Sequence, residues 1–291
     1  MVGYRCQITQ ITSGALNGRL RVSDAFGCPA VRVDSDQGLI FKGDRNPSVM
    51  QLAVEMNGNL DLHLVKGQQL PPHAFSGFDA NSSEIFFSLT PGSRMVVVSM
   101  PKVRVLARAA EVYGEPALER LNNQNICKVR PADFDRMAQK LEQGMRPDTA
   151  SQSGAADVDD TVLTFLDALD QSDPQQPPCE TVRNVDLIRE FVELAHDAGC
   201  DRPLTVSDLT QELFTSKTVL SVAIRQATGL SPLVFLRNVR LEQVRKALLS
   251  GDQTTSVNDV SHRFGFPSRG HFSRYYRDLF AELPRETLMK R

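Results

Sequence analysis

The C-terminal part of the chain contains the same short pattern twice. Thr205-Val206-Ser207-Asp208 and Ser256-Val257-Asn258-Asp259 both read [ST]-x-x-D, and they lie 51 residues apart. In this pattern the hydroxyl and the carboxylate bind the free N–H groups at the start of a helix, so each copy predicts a helix start. The apolar residues at helical spacing that follow are Val206, Leu209 and Leu213 in the first copy, and Val257, Val260 and Phe264 in the second.

Each copy continues into a second helix start. Ser216 and Ser268 are predicted N-caps 52 residues apart, and Gly265 stands in the turn of the second copy, where a positive φ is easily adopted. Two short helices joined by a tight turn, present twice, predict a tandem helix-turn-helix.

One long helix is predicted between the two copies. Gly229 ends the preceding helix, Ser231 caps the next one, and Pro232 occupies its first turn. The residues predicted to form its buried face are Leu233, Leu236, Val239, Leu241, Val244 and Leu248. A stiff spacer suits two recognition helices that enter successive major grooves about 34 Å apart.

Charge is unevenly distributed along the chain. The formal net charge is −2, but residues 217–291 contain 13 Lys+Arg and 6 Asp+Glu, which leaves 20 basic and 29 acidic residues in the remainder. This asymmetry indicates that the C-terminal end meets a polyanion.

Residues 1–101 have the pattern of short strands separated by turns. The predicted strands are 31–33, 51–56, 60–65, 84–87 and 95–100, with Gly- or Pro-containing turns at 57–59, 66–68 and 90–93. The pattern predicts a β-rich domain, a barrel or a rolled sheet.

Helical spacing begins after Pro101. One predicted helix has Val103, Leu106, Ala107 and Ala110 on a single face, and a second, between Pro131 and Gly144, has Phe134, Met137, Ala138 and Leu141. The stretch 146–180 contains eight acidic residues and one basic residue, and 173–178 is typical of an extended linker. Within it, Val158, Val162, Phe165, Leu166 and Leu169 form an amphipathic stripe, which we expect to pack on its own domain or on a partner subunit.

The predicted fold class is therefore α+β, with a barrel-like β-rich domain that includes helices and an all-α tandem helix-turn-helix domain. We expect residues 1–145 to form the β-rich domain with its helices, 146–181 an acidic linker with a short amphipathic helix, and 182–291 the helical domain, whose repeat and basic charge predict DNA binding.

The C-terminal pattern resembles a known family. Thr205–Leu213, Ser216–Pro232, Val257–Phe266, Phe272-Ser273-Arg274 and Pro284 are similar to the DNA-binding domain of AraC/XylS transcriptional regulators over about 105 residues. The chain departs from the family pattern at Thr210 and Ser261, where a small Ala is usual, and at Ala281-Glu282-Leu283-Pro284, where the family has Gly-x-Ser-Pro. The N-terminal region, through residues 11–20, more weakly resembles the effector-sensing domains of ethanolamine-operon-type regulators.

The resemblance implies the residues that contact DNA. On the first recognition helix the base-reading positions are Thr218, Ser221 and Val222; on the second they are Arg269, His271, Ser273 and Arg274. The phosphate-contacting candidates are Lys217, Arg225, Arg237 and Arg240. The second helix offers the better hydrogen-bond donors, so we expect it to supply most polar base readout. The alternative for Arg274 is a solvated charge or a partner within the domain, whereas Phe264, Phe266, Phe272 and Phe280 are expected in the core.

The resemblance also implies partners. They are double-stranded promoter DNA, RNA polymerase, a small-molecule effector sensed by residues 1–145, and a second copy of the chain in a homodimer formed through the helices between Val103 and Met145. The residues expected to line an effector pocket are Arg32, Phe41, His63, His73 and Phe86.

No G-x-S-x-G, P-loop or H-E-x-x-H pattern occurs, so we expect no catalytic residues, no metal and no cofactor. Two alternatives remain: a barrel-class enzyme with a helical appendage, and an AraC-type regulator controlled by protein–protein contact without a ligand. For Cys6 and Cys28 the alternatives are a redox sensor and buried structural thiols.

The five cysteines are scattered without a C-x-x-C pattern, which suits a reducing cytoplasm. The longest apolar stretch, near 95–100, is far shorter than a membrane helix, and residues 1–6 do not have the pattern of a signal peptide. We therefore expect a cytoplasmic protein without membrane contact.

Overall fold

The structure is a computed structural model. It describes residues 6–24, 26–57, 63–65, 68–146, 155–172, 179–197, 203–252 and 254–290. The predicted strand residues 60–62, the turn residues 58–59 and 66–67, and the Pro-rich segment 173–178 lie outside the described residues.

The described strands lie in the first half of the chain, as the alternating pattern predicts. They are β1 (Cys6–Gln10), β2 (Gly18–Ser23), β3 (Ala30–Ser35), β4 (Leu39–Asp44), β5 (Val49–Asn57), β6 (Leu64–Val65), β7 (Gln68–Gln69), β8 (Ala74–Ser76), β9 (Glu84–Leu89), β10 (Ser93–Pro101) and β11 (Ile126–Lys128).

These strands form two sheets. One has the order β1-β4-β9-β6-β7 and the other the order β11-β8-β5-β10-β3-β2. In the second sheet β10 pairs antiparallel with both β5 and β3, so that Val96 lies opposite Val54 on one side and Arg32 on the other. Because β10 lies inside the sheet and most of its side chains are buried, its sequence is a nearly continuous apolar run. The β-rich prediction is confirmed.

The described helices are α1 (Lys102–Tyr113), α2 (Glu115–Asn123), α3 (Pro131–Gly144), α4 (Ala155–Asp170), α5 (Cys179–Asp197), α6 (Val206–Glu212), α7 (Lys217–Thr228), α8 (Pro232–Ser250), α9 (Val257–Arg263), α10 (Arg269–Phe280) and α11 (Pro284–Leu288). Within the described ranges no single helix is long and apolar enough to cross a membrane, and only the bent pair α7 and α8 passes that test together. The sequence patterns predicted β3, β5, β6, β9 and β10. They did not predict α2 or the remaining strands, β1, β2, β4, β7, β8 and β11, and Gln68 of β7 was predicted in a turn. Strand β11 adds to the edge of the sheet beside β8.

Contacts divide the chain into two compact units. The first comprises residues 1–7, 18–36 and 42–178; the second comprises 8–17, 37–41 and 179–291. We call them the β-rich unit and the helical unit.

The amphipathic helix α4 is part of the core of the β-rich unit. Its five stripe residues are almost fully buried in one apolar cluster with side chains of β5, β10, α1 and α3. Its acidic side faces basic side chains as well: Asp159 pairs with Arg104 of α1, and Asp160 pairs with Lys140 of α3. Of the two predicted docking places, the helix takes the one on its own domain.

Of the apolar face predicted for α1, only Leu106 packs against the core. Val103 is 80% exposed, and Ala107 and Ala110 are exposed as well, whereas Val105 and Ala109 are fully buried. The helix continues directly from β10, and this connection fixes its rotation about its own axis. For α3 the prediction is confirmed, since Met137 and Leu141 are completely buried and Phe134 packs against the same core.

The long helix α8 is the centre of the helical unit. Five of its six predicted core residues are buried, and Phe235 and Asn238 are buried in addition. Leu233 is the exception, with 68% of its surface exposed, although Pro232 in the same turn is buried. The predicted core phenylalanines 264, 266, 272 and 280 all belong to one cluster with Leu241, Val244 and Leu248.

The helical unit also contains two short segments from the start of the chain. The buried side chain of Gln10 donates its amide N–H groups to the carbonyl of Leu279 at 2.7 Å and to that of Gly14 at 2.7 Å. The backbone N–H of Gln10 donates to Glu242 Oε1 at 3.0 Å. Burial raises the pKa of this Glu242 carboxyl to about 7.

Candidate nucleic-acid interface

Two pairs of short helices, α6 with α7 and α9 with α10, repeat one local geometry. In the first pair Thr205 Oγ1 accepts the N–H of Asp208 at 3.2 Å, and the Asp208 carboxylate accepts the N–H of Thr205 at 2.7 Å. In the second pair Ser256 Oγ accepts the N–H of Asp259 at 3.1 Å, and in both pairs the hydroxyl also donates its O–H to the carboxylate. The predicted helix starts are thus confirmed, the first as a complete reciprocal box and the second with a side-chain variant of it.

The turns of the two copies have different residues at the position with positive φ. Gly265 has a φ of +82°, and a Cβ there would lie 2.7 Å from Pro203, so that only glycine fits. The corresponding residue of the first copy, 51 positions earlier, is Phe214, which adopts a φ of +46° in spite of its side chain. Its phenyl ring is 96% exposed.

Hydroxyl groups replace the small alanine in the middle of both scaffold helices without leaving a polar atom unpaired. Thr210 is buried and donates its hydroxyl to the carbonyl of Ser207 at 2.8 Å. Ser261 is buried and donates to the carbonyl of Asn258 at 2.9 Å. Each hydroxyl therefore turns back onto its own helix, and the packing tolerates both departures from the family pattern.

The caps of the longer helices agree with the sequence prediction except at Ser268. Ser216 Oγ accepts the N–H of Val219 at 3.2 Å, and Ser231 Oγ accepts that of Val234 at 3.4 Å. Gly229 ends α7 in the left-handed conformation. Ser268 occupies the N-cap position of α10, but its side chain makes no capping hydrogen bond.

The exposed face of α7 combines two valines with short hydroxyl side chains. Thr218, Val219 and Val222 are exposed and Ser221 is half-buried, whereas Leu220, Ala223, Ile224, Ala227 and Thr228 turn to the core. Lys217, Arg225 and Gln226 are exposed at the ends of this face.

The exposed face of α10 carries more basic side chains. Arg269, His271 and Arg274 are exposed, and Ser273 is half-buried. Arg269 Nε donates to Asn258 Oδ1 of α9 at 2.7 Å, which holds the guanidinium in one orientation. The guanidinium carbon of Arg274 lies 5.4 Å from the ring centre of Tyr275.

The two arginines of α8 named as phosphate candidates are tied to the fold. The guanidinium carbon of Arg237 lies over the Tyr275 ring, 4.1 Å from its centre. Arg240 donates to the carbonyl of Leu204, and burial lowers its pKa. Both side chains are half-buried, unlike those of Lys217 and Arg225.

Comparisons with known proteins agree with this geometry. Residues 209–290 match the family model described as "Helix-turn-helix domain". The chain is 31% identical over 102 residues to the "Probable thc operon regulatory protein" of Rhodococcus erythropolis, a match that covers 34% of this chain and 31% of that protein. It is 35% identical over 89 residues to the "XylDLEGF operon transcriptional activator 2" of Pseudomonas putida, covering 30% of this chain and 56% of that one.

Among solved structures, a probable AraC family transcriptional regulator from Rhodopseudomonas palustris is 34% identical, with a TM-score of 0.33 over 36% of this chain and 96% of that one. Residues 209–290 are an AraC-type helix-turn-helix domain. The matched part of the chain spans just under a third of the first of these two curated relatives and just over half of the second.

Within the AraC-type domain, all seven base-contact candidates lie on α7 and α10, the second helix of each pair. The sequence prediction placed them on equivalent elements of the repeat. It missed Asn258, which orients Arg269 from the scaffold helix α9. Asn258 is one of the two variable residues of the second [ST]-x-x-D pattern, and the pattern assigns no role to its side chain.

In the β-rich unit a buried acid faces a buried histidine. His63 Nδ1 lies 3.5 Å from Glu55 Oε2, and both side chains are at most 1% exposed. Glu55 Oε1 accepts the backbone N–H of Arg94 at 2.7 Å and of Asn57 at 2.9 Å. Within the described residues, Glu55 Oε2 and both ring nitrogens of His63 have no hydrogen-bond partner. Burial raises the pKa of Glu55 to about 7 and lowers that of His63 to about 4, so both groups favour their neutral forms.

The other effector candidates lie apart in the sheets. Arg32, on β3, binds Asp34 of the same strand at 2.9 Å, whereas Phe41 on β4 and Phe86 on β9 are buried in the other sheet. His73 is exposed before β8 and packs edge-on against Phe134. Glu55 was not among the candidates; a single acid within the apolar strand β5 was the available signal.

The thiols of Cys6 and Cys28 are free, and burial raises the pKa of each to about 11. Such thiols carry little thiolate at neutral pH, which favours the structural alternative over a redox sensor. Over the described ranges, no group of three or more His, Cys, Asp and Glu side chains could hold a metal ion.

Proposed function

We propose that the protein is a transcriptional regulator that binds double-stranded promoter DNA through both helix-turn-helix pairs. The observation that carries this proposal is the equivalence of α7 and α10. Each helix follows a scaffold helix across a turn with positive φ. The residues that are exposed on one helix occupy positions equivalent to those exposed on the other. Recognition helices of such pairs lie in the major groove with their N-terminal residues at the base edges.

In this proposal α10 supplies most of the polar base contacts, whereas α7 supplies phosphate contacts. Arg269, His271, Ser273 and Arg274 supply the donors that read base edges, because arginine can bind the O6 and N7 atoms of guanine together. Lys217 and Arg225 are the better phosphate contacts, since both are exposed. To contact a DNA phosphate, Arg237 would have to leave the Tyr275 ring and Arg240 the carbonyl of Leu204.

The experiment is a titration of the full chain with its own upstream region and with random duplex at two salt concentrations. We expect a preference of about 10³ or more for the specific duplex, with each affinity falling steeply with salt. Equal affinity for both duplexes at both salt concentrations would contradict the proposal.

We also propose that the β-rich unit senses a small-molecule effector. The buried pair of Glu55 and His63 supports this, because unpaired buried polar atoms are costly unless a ligand or water satisfies them. An effector would regulate DNA binding only through a difference in its affinity for the two states. The alternative is regulation by protein–protein contact, without a ligand.

Ligand-induced thermal stabilisation separates these two cases. A library of small polar metabolites is added to the full chain and to the Glu55→Gln variant, and the thermal unfolding temperature of each protein is measured. An effector held by this pair stabilises the wild type more than the variant. If nothing stabilises the wild type while a partner protein alters its DNA binding, the alternative is correct.

A homodimer is part of the proposal. The exposed apolar stripe of Val103, Ala107 and Ala110 on α1 supports a contact between two copies within the predicted region 103–145. RNA polymerase is proposed as the further partner and the cytoplasm as the location, because both follow from a role at bacterial-type promoters. Residues 1–145, 146–181 and 182–291 remain the proposed sensing, linking and DNA-binding segments.

A further inference from the structure

Between Lys217 and Arg225, α7 has only apolar and short hydroxyl side chains, and none that could bind a base edge through two hydrogen bonds. Val219 is 46% exposed and Val222 is 48% exposed, although valine side chains are normally buried. Thr218 is exposed beside them and presents one more methyl group. At the positions 52 residues later, α10 has Gly270, His271 and Arg274, so the same face is uncharged in one copy and basic in the other.

Two cations flank this uncharged face. Lys217 and Arg225 are eight residues apart, which corresponds to a rise of about 12 Å along the helix axis. This distance is comparable with the width of the major groove, about 12 Å. The face therefore fits a surface with an apolar centre between two rows of negative charge.

Only one base presents an apolar group in the major groove, the C5 methyl of thymine. We propose that α7 reads thymine methyl groups through Thr218 and Val222, while α10 reads guanine through Arg274. The site would then have two chemically different halves, one that requires thymine methyls and one that requires guanine acceptors. This inference rests on the proposed DNA-binding function and specifies the ligand of each helix.

The test removes the methyl group and nothing else. A duplex selected from a random pool by the full chain is prepared with deoxyuridine in place of thymidine in one half at a time. Base pairing is kept, and only the C5 methyl is lost. Affinity is measured by fluorescence anisotropy at one salt concentration.

We expect deoxyuridine in one half to weaken binding by about fourfold for each methyl that is buried, the equivalent of one buried methylene group. Val222→Ala should be weaker on the thymidine duplex and should lose sensitivity to at least one of these methyls. Val222→Thr keeps one methyl, so its affinity for the thymidine duplex should lie between those of the wild type and Val222→Ala. Val222 is exposed, and a thermal melt checks that each variant is folded.

Arg274→Ala is the matched control at the equivalent position of α10. It should keep the full sensitivity to deoxyuridine. In the other half, 7-deazaguanine, which lacks the N7 acceptor, should weaken the wild type but not Arg274→Ala. The same substitution should weaken Val222→Ala as much as the wild type.

Equal affinity of the wild type for thymidine and deoxyuridine duplexes in both halves would overturn the inference and leave the proposed function intact. So would a Val222→Ala variant that binds every duplex as the wild type does, which would assign the uncharged face to a protein partner. If no duplex is selected at all, the proposed function itself is wrong, and the inference falls with it.

Discussion

The backbone strain of each turn in the tandem repeat depends on the single residue with positive φ. Gly265 satisfies both a positive φ and a close approach to Pro203, whereas Phe214 adopts the positive φ with a side chain that favours other conformations. A non-glycine residue in the left-handed region costs roughly 1–2 kcal/mol. The first turn is therefore less stable than the second for a reason that lies in the backbone.

Phe214→Gly should raise the free energy of unfolding of the helical unit by about 1 kcal/mol, because glycine adopts this φ without strain. Chemical denaturation measures the change. Phe214→Ala is the control, since it removes the phenyl ring but keeps the Cβ. If alanine stabilises as much as glycine, the exposed ring and not the backbone is the cause.

Arg269→Ala should weaken binding to a specific site by about 1–3 kcal/mol and relax the preference at one base pair. Lys217→Ala should weaken binding to all duplexes alike and reduce the salt slope by about one. Competition titrations with specific and random DNA distinguish the two. An equal loss on both kinds of DNA for Arg269→Ala would contradict its role in base readout.

Glu55 and His63 give the β-rich unit opposite dependences on pH. The folded pKa of Glu55 is raised to about 7, so its contribution is fully present below about pH 4.5 and is lost as pH rises through 7. The folded pKa of His63 is lowered to about 4, so its contribution is present above about pH 6.5 and is lost as pH falls through 4.

Glu55→Gln removes only the first dependence, because the neutral amide oxygen still accepts the N–H groups of Arg94 and Asn57. The stability of the variant relative to the wild type should therefore increase between pH 4.5 and 7.5, by an amount on the order of 2–3 kcal/mol. Denaturation at several pH values measures it. Parallel curves for the two proteins would show that Glu55 is not the titrating group.

At the scale of elements, local signals were sufficient where a helix begins with a cap. The caps at Thr205, Ser216 and Ser231 could be predicted because the side chain and the N–H group that it binds lie within three residues. The rotation of α1 could not be predicted, because the preceding strand fixes it. The short strand β11 has no periodicity of its own, and its pairing with β8 depends on residues 50 positions away.

Helix α8 offers a matched pair for testing its burial. Leu236 is 2% exposed and Leu233 is 68% exposed, on the same helix and with the same side chain. Leu236→Ala should destabilise the helical unit by about 2–5 kcal/mol, whereas Leu233→Ala should change its stability by less than about 0.5 kcal/mol. Urea denaturation measures both. Comparable losses would mean that the first turn of α8 is covered in solution.

At the scale of the molecule, the sequence predicted the order of a β-rich half and a helical half, and the charge asymmetry between the ends. It did not predict that residues 8–17 and 37–41 belong to the helical unit. Those segments look like ordinary strand and turn sequence, and the buried hydrogen bonds of Gln10 involve residues more than 220 positions away. The buried pair of Glu55 and His63 was half predicted, since the histidine was named and the acid was not.

If both helix-turn-helix pairs bind one duplex together, each pair should protect its own stretch of DNA. Hydroxyl-radical footprinting of the full chain on its selected duplex measures this protection. We expect two protected patches on one face of the DNA, centred about one helical turn apart. Arg274→Ala should weaken one patch and Val222→Ala the other. A single patch, unaffected by one of these two changes, would show that only one pair binds the duplex.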